Sequence, residues 1–235
     1  MNKDSIDRSK PPVSAEIPRF KFPGYKKIDI SEKLTVYTYE DYTQPLITMK
    51  AYFHKGAVEE KIPGLASFTA ELMLRGTKNR SASEIAEETD MIGAGMRSIG
   101  NWEDTSLGIT VLADHSDKAF ELLTDSFLNP VFSEDETERL RKKFIADIRE
   151  ETAEPGYLAK LALNSLFYEG HPYSHPRDGT IESISKITSH DCISWHNSMK
   201  EQTKITVIIA GNADFDSLVS KFRDKFSSLP QDTGG

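Results

Sequence analysis

The chain has 235 residues, with 29 Lys and Arg against 37 Asp and Glu, a formal net charge of −8, and one cysteine, Cys192. That length holds one large α/β domain or two small ones, and the acidic balance argues against nucleic acid as a partner, because no dominant basic surface is available to neutralise phosphates. One cysteine excludes an intrachain disulfide, and no stretch approaches the eighteen apolar residues that a membrane span needs.

Residues 1–23 are polar and contain Pro11, Pro12, Pro18 and Pro23. They read as an extended arm, with no apolar segment of the kind that marks a secretory signal. Two β-type runs follow, Tyr25 to Ile30 and Lys33 to Tyr39, separated by a turn at Ser31 and Glu32. After Pro45, LITMKAYFHKGAV predicts a third strand, with His54 near its end as a surface or packing residue. The stretch Gly64 to Ser81 predicts an amphipathic helix with Leu65, Phe68, Leu72 and Leu74 apolar and Gly76 closing it. On residue types alone this is a buried helix without chemistry.

Ser81 opens a second helix, with acids in its first turn, running to about Ile92. MRSIGN and DTSLGITVL predict a β-hairpin around Asn101 to Asp104, with Met96, Ser98 and Gly100 on one face and Arg97, Ile99 and Asn101 on the other. Helices are predicted from Asp114 to Leu128, from Ser133 to about Ala153, and after Pro155 and Gly156. His171 and His175 have a metal-compatible spacing, but Pro172 and Pro176 make their segment a loop. Ser189 to Lys200 reads as a helix with Cys192 as a small buried hydrophobe, KITVIIAGNAD as a buried strand, and Asp216 to Phe226 as a last helix. The expected class is α+β, with helices packed on a mostly antiparallel sheet.

The stretch GLASFTAELMLRGTKNR resembles the metal-binding helix of the pitrilysin (insulinase-type) zinc peptidases, the family that includes the mitochondrial processing peptidases. Active members carry G-(L/V)-A-H-F-L-E-H-M-L-F-x-G-T-x-x-(R/Y). The match lies at Gly64, Leu65, Ala66, Phe68, Met73, Leu74, Gly76, Thr77 and Arg80. The chain departs where two imidazoles should chelate zinc and a Glu should polarise water: those positions hold Ser67, Ala70 and Glu71, and the third ligand falls at or beside Ile148. HPYS and VIIAGN follow in family order.

The resemblance implies a mitochondrial processing peptidase-like metallohydrolase fold over residues 24–229, with 230–235 beginning a linker to a second, similar domain. It further implies a non-catalytic unit that holds no metal or cofactor of its own. Zinc is expected in a partner subunit with an intact H-x-x-E-H helix, and extended peptides are expected to add to the edge strand Met96, Arg97, Ser98, Ile99, Gly100 and Asn101. The alternatives are a scaffold or docking protein without a proteolytic role, a zinc metalloendopeptidase with atypical ligands drawn from Glu71, Asp147, Glu150 and Glu151, and a serine nucleophile at Ser67, for which no His or Asp partner and no G-x-S-x-G elbow is legible. A reducing, cytoplasmic setting fits the single cysteine; a periplasmic or matrix protein that has lost a targeting segment would read the same.

Overall fold

The computed structural model describes residues 23–227 and Leu229. The arm expected at the N-terminus and the linker expected at 230–235 lie outside the described residues, apart from Pro23.

Strands β1 (Lys26–Asp29), β2 (Leu34–Glu40), β3 (Leu46–Phe53), β4 (Gly95–Gly100), β5 (Thr105–Leu112) and β6 (Ile205–Gly211) form one sheet in the order β1-β2-β6-β3-β5-β4. Every neighbouring pair is antiparallel except β2 with β6. The alternation of side chains explains why one face is covered. Val36, Ile47, Met49, Phe53, Leu107, Ile109, Val207 and Ile209 point into the core, while the opposite face carries polar contacts such as Thr48 to Thr110 at 2.9 Å.

Eight α-helices accompany the sheet among the described residues: α1 (Leu65–Leu72), α2 (Ala82–Met91), α3 (Ser116–Leu128), α4 (Glu134–Thr152), α5 (Pro155–Phe167), α6 (Ile181–Lys186), α7 (Ser189–Gln202) and α8 (Phe215–Phe226). The α+β architecture is as expected. Helix starts follow local chemistry. Ser81 and Glu84 form a reciprocal capping box, Ser133 accepts from the Glu136 N–H, and Thr188 and Asp191 form a second box.

Three expectations are corrected. Helix α1 ends at Leu72, and Gly76 sits beyond it in a bridged turn with a φ of 127°. The third strand stops at Phe53, where the Lys55 N–H donates back to the Phe53 carbonyl at 2.7 Å and turns the chain. The short helix α6 was not anticipated; Thr180 and Ser183 cap it reciprocally, a box built on Ser in place of the usual Glu.

The bridged loop after α1 is held by one buried carboxylate. Asp125 on α3 accepts from Thr77 Oγ1 at 2.7 Å, Asn79 Nδ2 at 2.6 Å, Arg80 Nη1 at 2.8 Å and Asn129 Nδ2 at 2.8 Å. Burial by itself would raise its pKa, but the four donors overcome that and hold it below the usual range. Asp125→Ala leaves the Thr77, Asn79 and Asn129 donors without this acceptor and Arg80 with Glu88 as its remaining close partner. The expected loss is about 3 kcal/mol, read as a lower urea midpoint with an unchanged m-value, and Asp125→Asn is expected to recover only part of it.

Candidate functional site

A cleft of about 530 Å³ opens between the edge strand β4, the exposed side of α1, Phe144 of α4 and the loop at Arg177 and Asp178. Its geometry starts from a close approach. A Cβ on Gly100 would lie 2.5 Å from the Ala66 carbonyl carbon and 2.6 Å from its oxygen, so only glycine lets the backbone of α1 abut the end of β4. Gly64 begins α1 in the left-handed region, at a φ of 92°, with no side chain to cap the helix.

The missing cap comes from outside the helix. Glu60 accepts from the Gly64 N–H at 2.7 Å and the Ala66 N–H at 2.8 Å, satisfying two of the orphan donors at the N-terminus. Burial pushes its carboxyl up to about 7 against the pull of those donors, and the neighbouring Asp178 adds to the rise. Glu60 was not singled out in the sequence, because its contact with the helix start follows no periodic spacing.

Ser67, Glu71 and the β4 positions singled out in the sequence line this cleft; Ala70 and Ile148 do not. Ser67 Oγ donates to Asp178 Oδ1 at 2.6 Å and lies 3.2 Å from the Gly100 carbonyl oxygen. The expectation that Ser67 lacks an acidic partner is therefore corrected. Asp178 is in turn held by Arg177 through Nε at 3.1 Å and Nη2 at 2.9 Å, and among the described residues no imidazole hydrogen-bonds to either Ser67 or Asp178. The pair lacks the relay that activates a serine. The aspartate lay 111 residues away in sequence, so only folding reveals it.

Ala70 is buried and offers a methyl group. Glu71 Oε1 is bound by Arg75 Nη2 at 2.9 Å and Lys143 Nζ at 3.4 Å, and Lys143 also pairs with Asp147 at 2.9 Å. Ile148 is buried in the core rather than lining the cleft. Where a metal would need two imidazoles and a carboxylate, the chain places one carboxylate already neutralised by two cations. These donors do not fit a zinc ion. Among the described residues no group of three or more His, Cys, Asp or Glu is arranged to hold a metal. His171 spends its Nδ1 on the Tyr173 N–H, and Cys192 is buried with its thiol pushed up to about 12 by desolvation.

The edge of β4 has a readable phase. Asn101 N donates to Asp104 O across the hairpin, and the register pairs Ile99 with Ser106 and Arg97 with Gly108. In an antiparallel pair every second residue turns its N–H and C=O away from the partner strand. Met96, Ser98 and Gly100 are those residues, consistent with the Gly100 oxygen reaching Ser67. They share one face of the strand, as the alternation predicted, and the register turns that face toward the helices: Ser98 is opposite Leu107 and Met96 opposite Ile109, both in the core.

Residues 35–180 match the family model described as insulinase, peptidase family M16. The chain belongs to that family. It is 29% identical to an uncharacterized zinc protease of Rickettsia felis over 84% of this chain and 48% of that protein. It is 25% identical to a non-peptidase homolog, YmxG, of Helicobacter pylori over 72% of this chain and 39% of that protein. The chain thus spans less than half the length of these relatives. Among solved structures, the inactive domain of an M16 peptidase from Pseudomonas fluorescens superposes with a TM-score of 0.79 at 21% identity, over 88% of this chain and 51% of that one. A protease from Helicobacter pylori gives 0.80 at 20% identity, over 91% and 52%. These likenesses establish an insulinase-family fold, and no described helix is long and apolar enough to cross a membrane.

Glu60 makes the family helix pH-sensitive. Its folded pKa of about 7 exceeds the model-peptide 4.5, so the folded state binds the extra proton between those values and stability falls as pH rises through them. Urea titrations from pH 5 to pH 8 are expected to show a decline of up to roughly 3 kcal/mol from this group. In Glu60→Gln that part of the slope disappears; an unchanged slope would assign the decline to other groups.

Proposed function

We propose that this chain is the non-catalytic unit of an insulinase-family peptidase. It closes one side of a chamber and holds extended peptides by strand addition along β4. The zinc and the water-activating Glu come from a partner subunit with an intact H-x-x-E-H helix. The observation that carries the reading is an open strand edge retained beside a disarmed helix. Met96 and Ser98 turn backbone donors and acceptors toward the cleft, while Glu71 is occupied by Arg75 and Lys143 and Ser67 by Asp178. Strand addition needs only free backbone groups at the edge and pockets for alternate side chains, and both are compatible with loss of the metal.

A scaffold or docking role without peptide binding is the second reading. It is favoured by the apolar exposed face of α5, which lies outside the cleft.

The test is affinity purification of the tagged chain from its source cells, with mass spectrometry and a peptidase assay on the recovered complex. The expected result is a co-purifying H-x-x-E-H subunit, with hydrolysis of extended peptides only when both are present. Ser98→Pro removes an outward N–H without breaking a bond to β5. It is expected to weaken peptide retention about tenfold while leaving the unfolding midpoint nearly unchanged. Recovery of the partner with peptide retention unaffected by Ser98→Pro would move the reading to the scaffold; recovery of no insulinase-family partner would remove the paired peptidase altogether.

A further inference from the structure

A second cleft, of about 540 Å³, opens between the loop that follows β3, the start of α1 and one face of α7. Its volume falls in the range of roughly 300–1,000 Å³ typical of small-molecule sites. It shares no lining residue with the cleft beside β4. Asp191 and Trp195, four residues apart and so on one face of α7, form one wall. Lys55 and Glu59 come from the loop, and Ile62 and Leu65 supply an apolar wall.

The cleft holds more buried donors than acceptors. Lys55 is only 8% exposed, and its ammonium lies 5.1 Å from the centre of the Trp195 ring. Its one ion pair among the described residues is with Glu59 Oε2 at 3.3 Å, long for an ammonium on a carboxylate, and the Glu59 side chain is half exposed. Trp195 is 6% exposed, and its Nε1 is shielded from solvent without a hydrogen-bond partner. An indole N–H can only donate, and a buried donor without an acceptor is a standing cost. Asp191 is not a spare acceptor for it. Its Oδ2 takes the Thr188 N–H at 2.8 Å and the Thr188 hydroxyl at 2.6 Å, as the cap of α7.

We propose that this cleft binds a small monocarboxylate with an apolar body. The carboxylate takes the place of Glu59 on Lys55 and accepts from Trp195 Nε1, the body lies on Ile62 and Leu65, and Glu59 turns to solvent. The residues select against other classes. A cation would compete with Lys55 for both Glu59 and the indole ring and would leave the Nε1 donor unmet. Inorganic phosphate would bring a second negative charge toward Glu59 and Asp191 and cover none of the apolar wall. A free organic acid and the C-terminus of a peptide share the required chemistry. The inference depends neither on family membership nor on peptide binding at β4.

Nuclear magnetic resonance of protein carrying nitrogen-15 only in tryptophan tests it. The chain has two tryptophans, hence two indole N–H signals, and Trp102→Phe assigns them. Hexanoate is expected to move the Trp195 signal downfield, as a new hydrogen bond does, and to saturate below about 10 mM, while the Trp102 signal stays in place. Hexanol and hexylamine, of the same length, are expected to leave both signals unmoved. Acetyl-Ala-Leu with a free C-terminus, set against its C-terminal amide, separates the two sources: tighter binding of the peptide acid than of hexanoate points to peptide ends, and the reverse to a free acid. Lys55→Met keeps the buried stem and is expected to weaken hexanoate about tenfold. Glu59→Gln removes the competing carboxylate from a half-exposed position and is expected to tighten it about threefold. A merely structural Lys55–Glu59 pair would not produce that gain. The proposal is overturned by equal shifts with hexanol or hexylamine, by no saturation with either acid, or by a Glu59→Gln affinity no better than that of the unaltered chain.

Discussion

The contact on which the site depends is the meeting of two backbones. Helix α1 lies against the end of β4 with no side chain between them, because position 100 is glycine and a Cβ there would overlap the Ala66 carbonyl. That approach sets Ser67 within reach of the Gly100 oxygen, swings Glu71 toward α4, and leaves the remaining length of β4 as an uncovered edge. Glu60 and Asp125 hold the two ends of the same segment. One carboxylate satisfies the start of α1, and the other gathers the loop that follows it. Loss of the ligands has not loosened the helix, since neither anchor involves them.

Within the cleft, charges stand where a metal would be expected to join α1 to α4. Glu71 spans the two helices through Lys143, and Arg75 reaches both Glu71 and, at 3.9 Å, Glu136. Such partly exposed pairs contribute little stability singly, but they answer one electrostatic problem. A lone carboxylate at this place, without cation or metal, would carry an unbalanced charge beside Phe144 and Leu74. Ser67 answers the same problem for the hydroxyl, which Asp178 accepts.

The sheet and α5 show two different ways of leaving surface uncovered. The outer face of the sheet is polar enough to meet water, with threonines paired across β3 and β5 and Lys50 above the Tyr52 ring at 4.6 Å. Helix α5 has no such adaptation, and its leucines and phenylalanine meet solvent directly. The first pattern is what a water-facing surface requires; the second departs from it.

Much of this was legible in the sequence. Period-2 and period-3.6 patterns located all six strands and seven of the eight described helices, since burial of one face leaves its mark on every second residue of a strand and every third or fourth of a helix. The substitutions at Ser67, Ala70 and Glu71 were equally plain, because a ligand's chemistry belongs to its residue type. What stayed hidden depends on distance in space. Asp178 as the partner of Ser67, Lys143 as that of Glu71, and Glu60 as the cap of α1 are contacts whose spacing in sequence follows no period. The outward turn of α5 was hidden for the same reason. Its periodicity shows that it has an apolar face, but which way that face points was decided only when the helix packed against α4 and the turn at Pro172–Ser174.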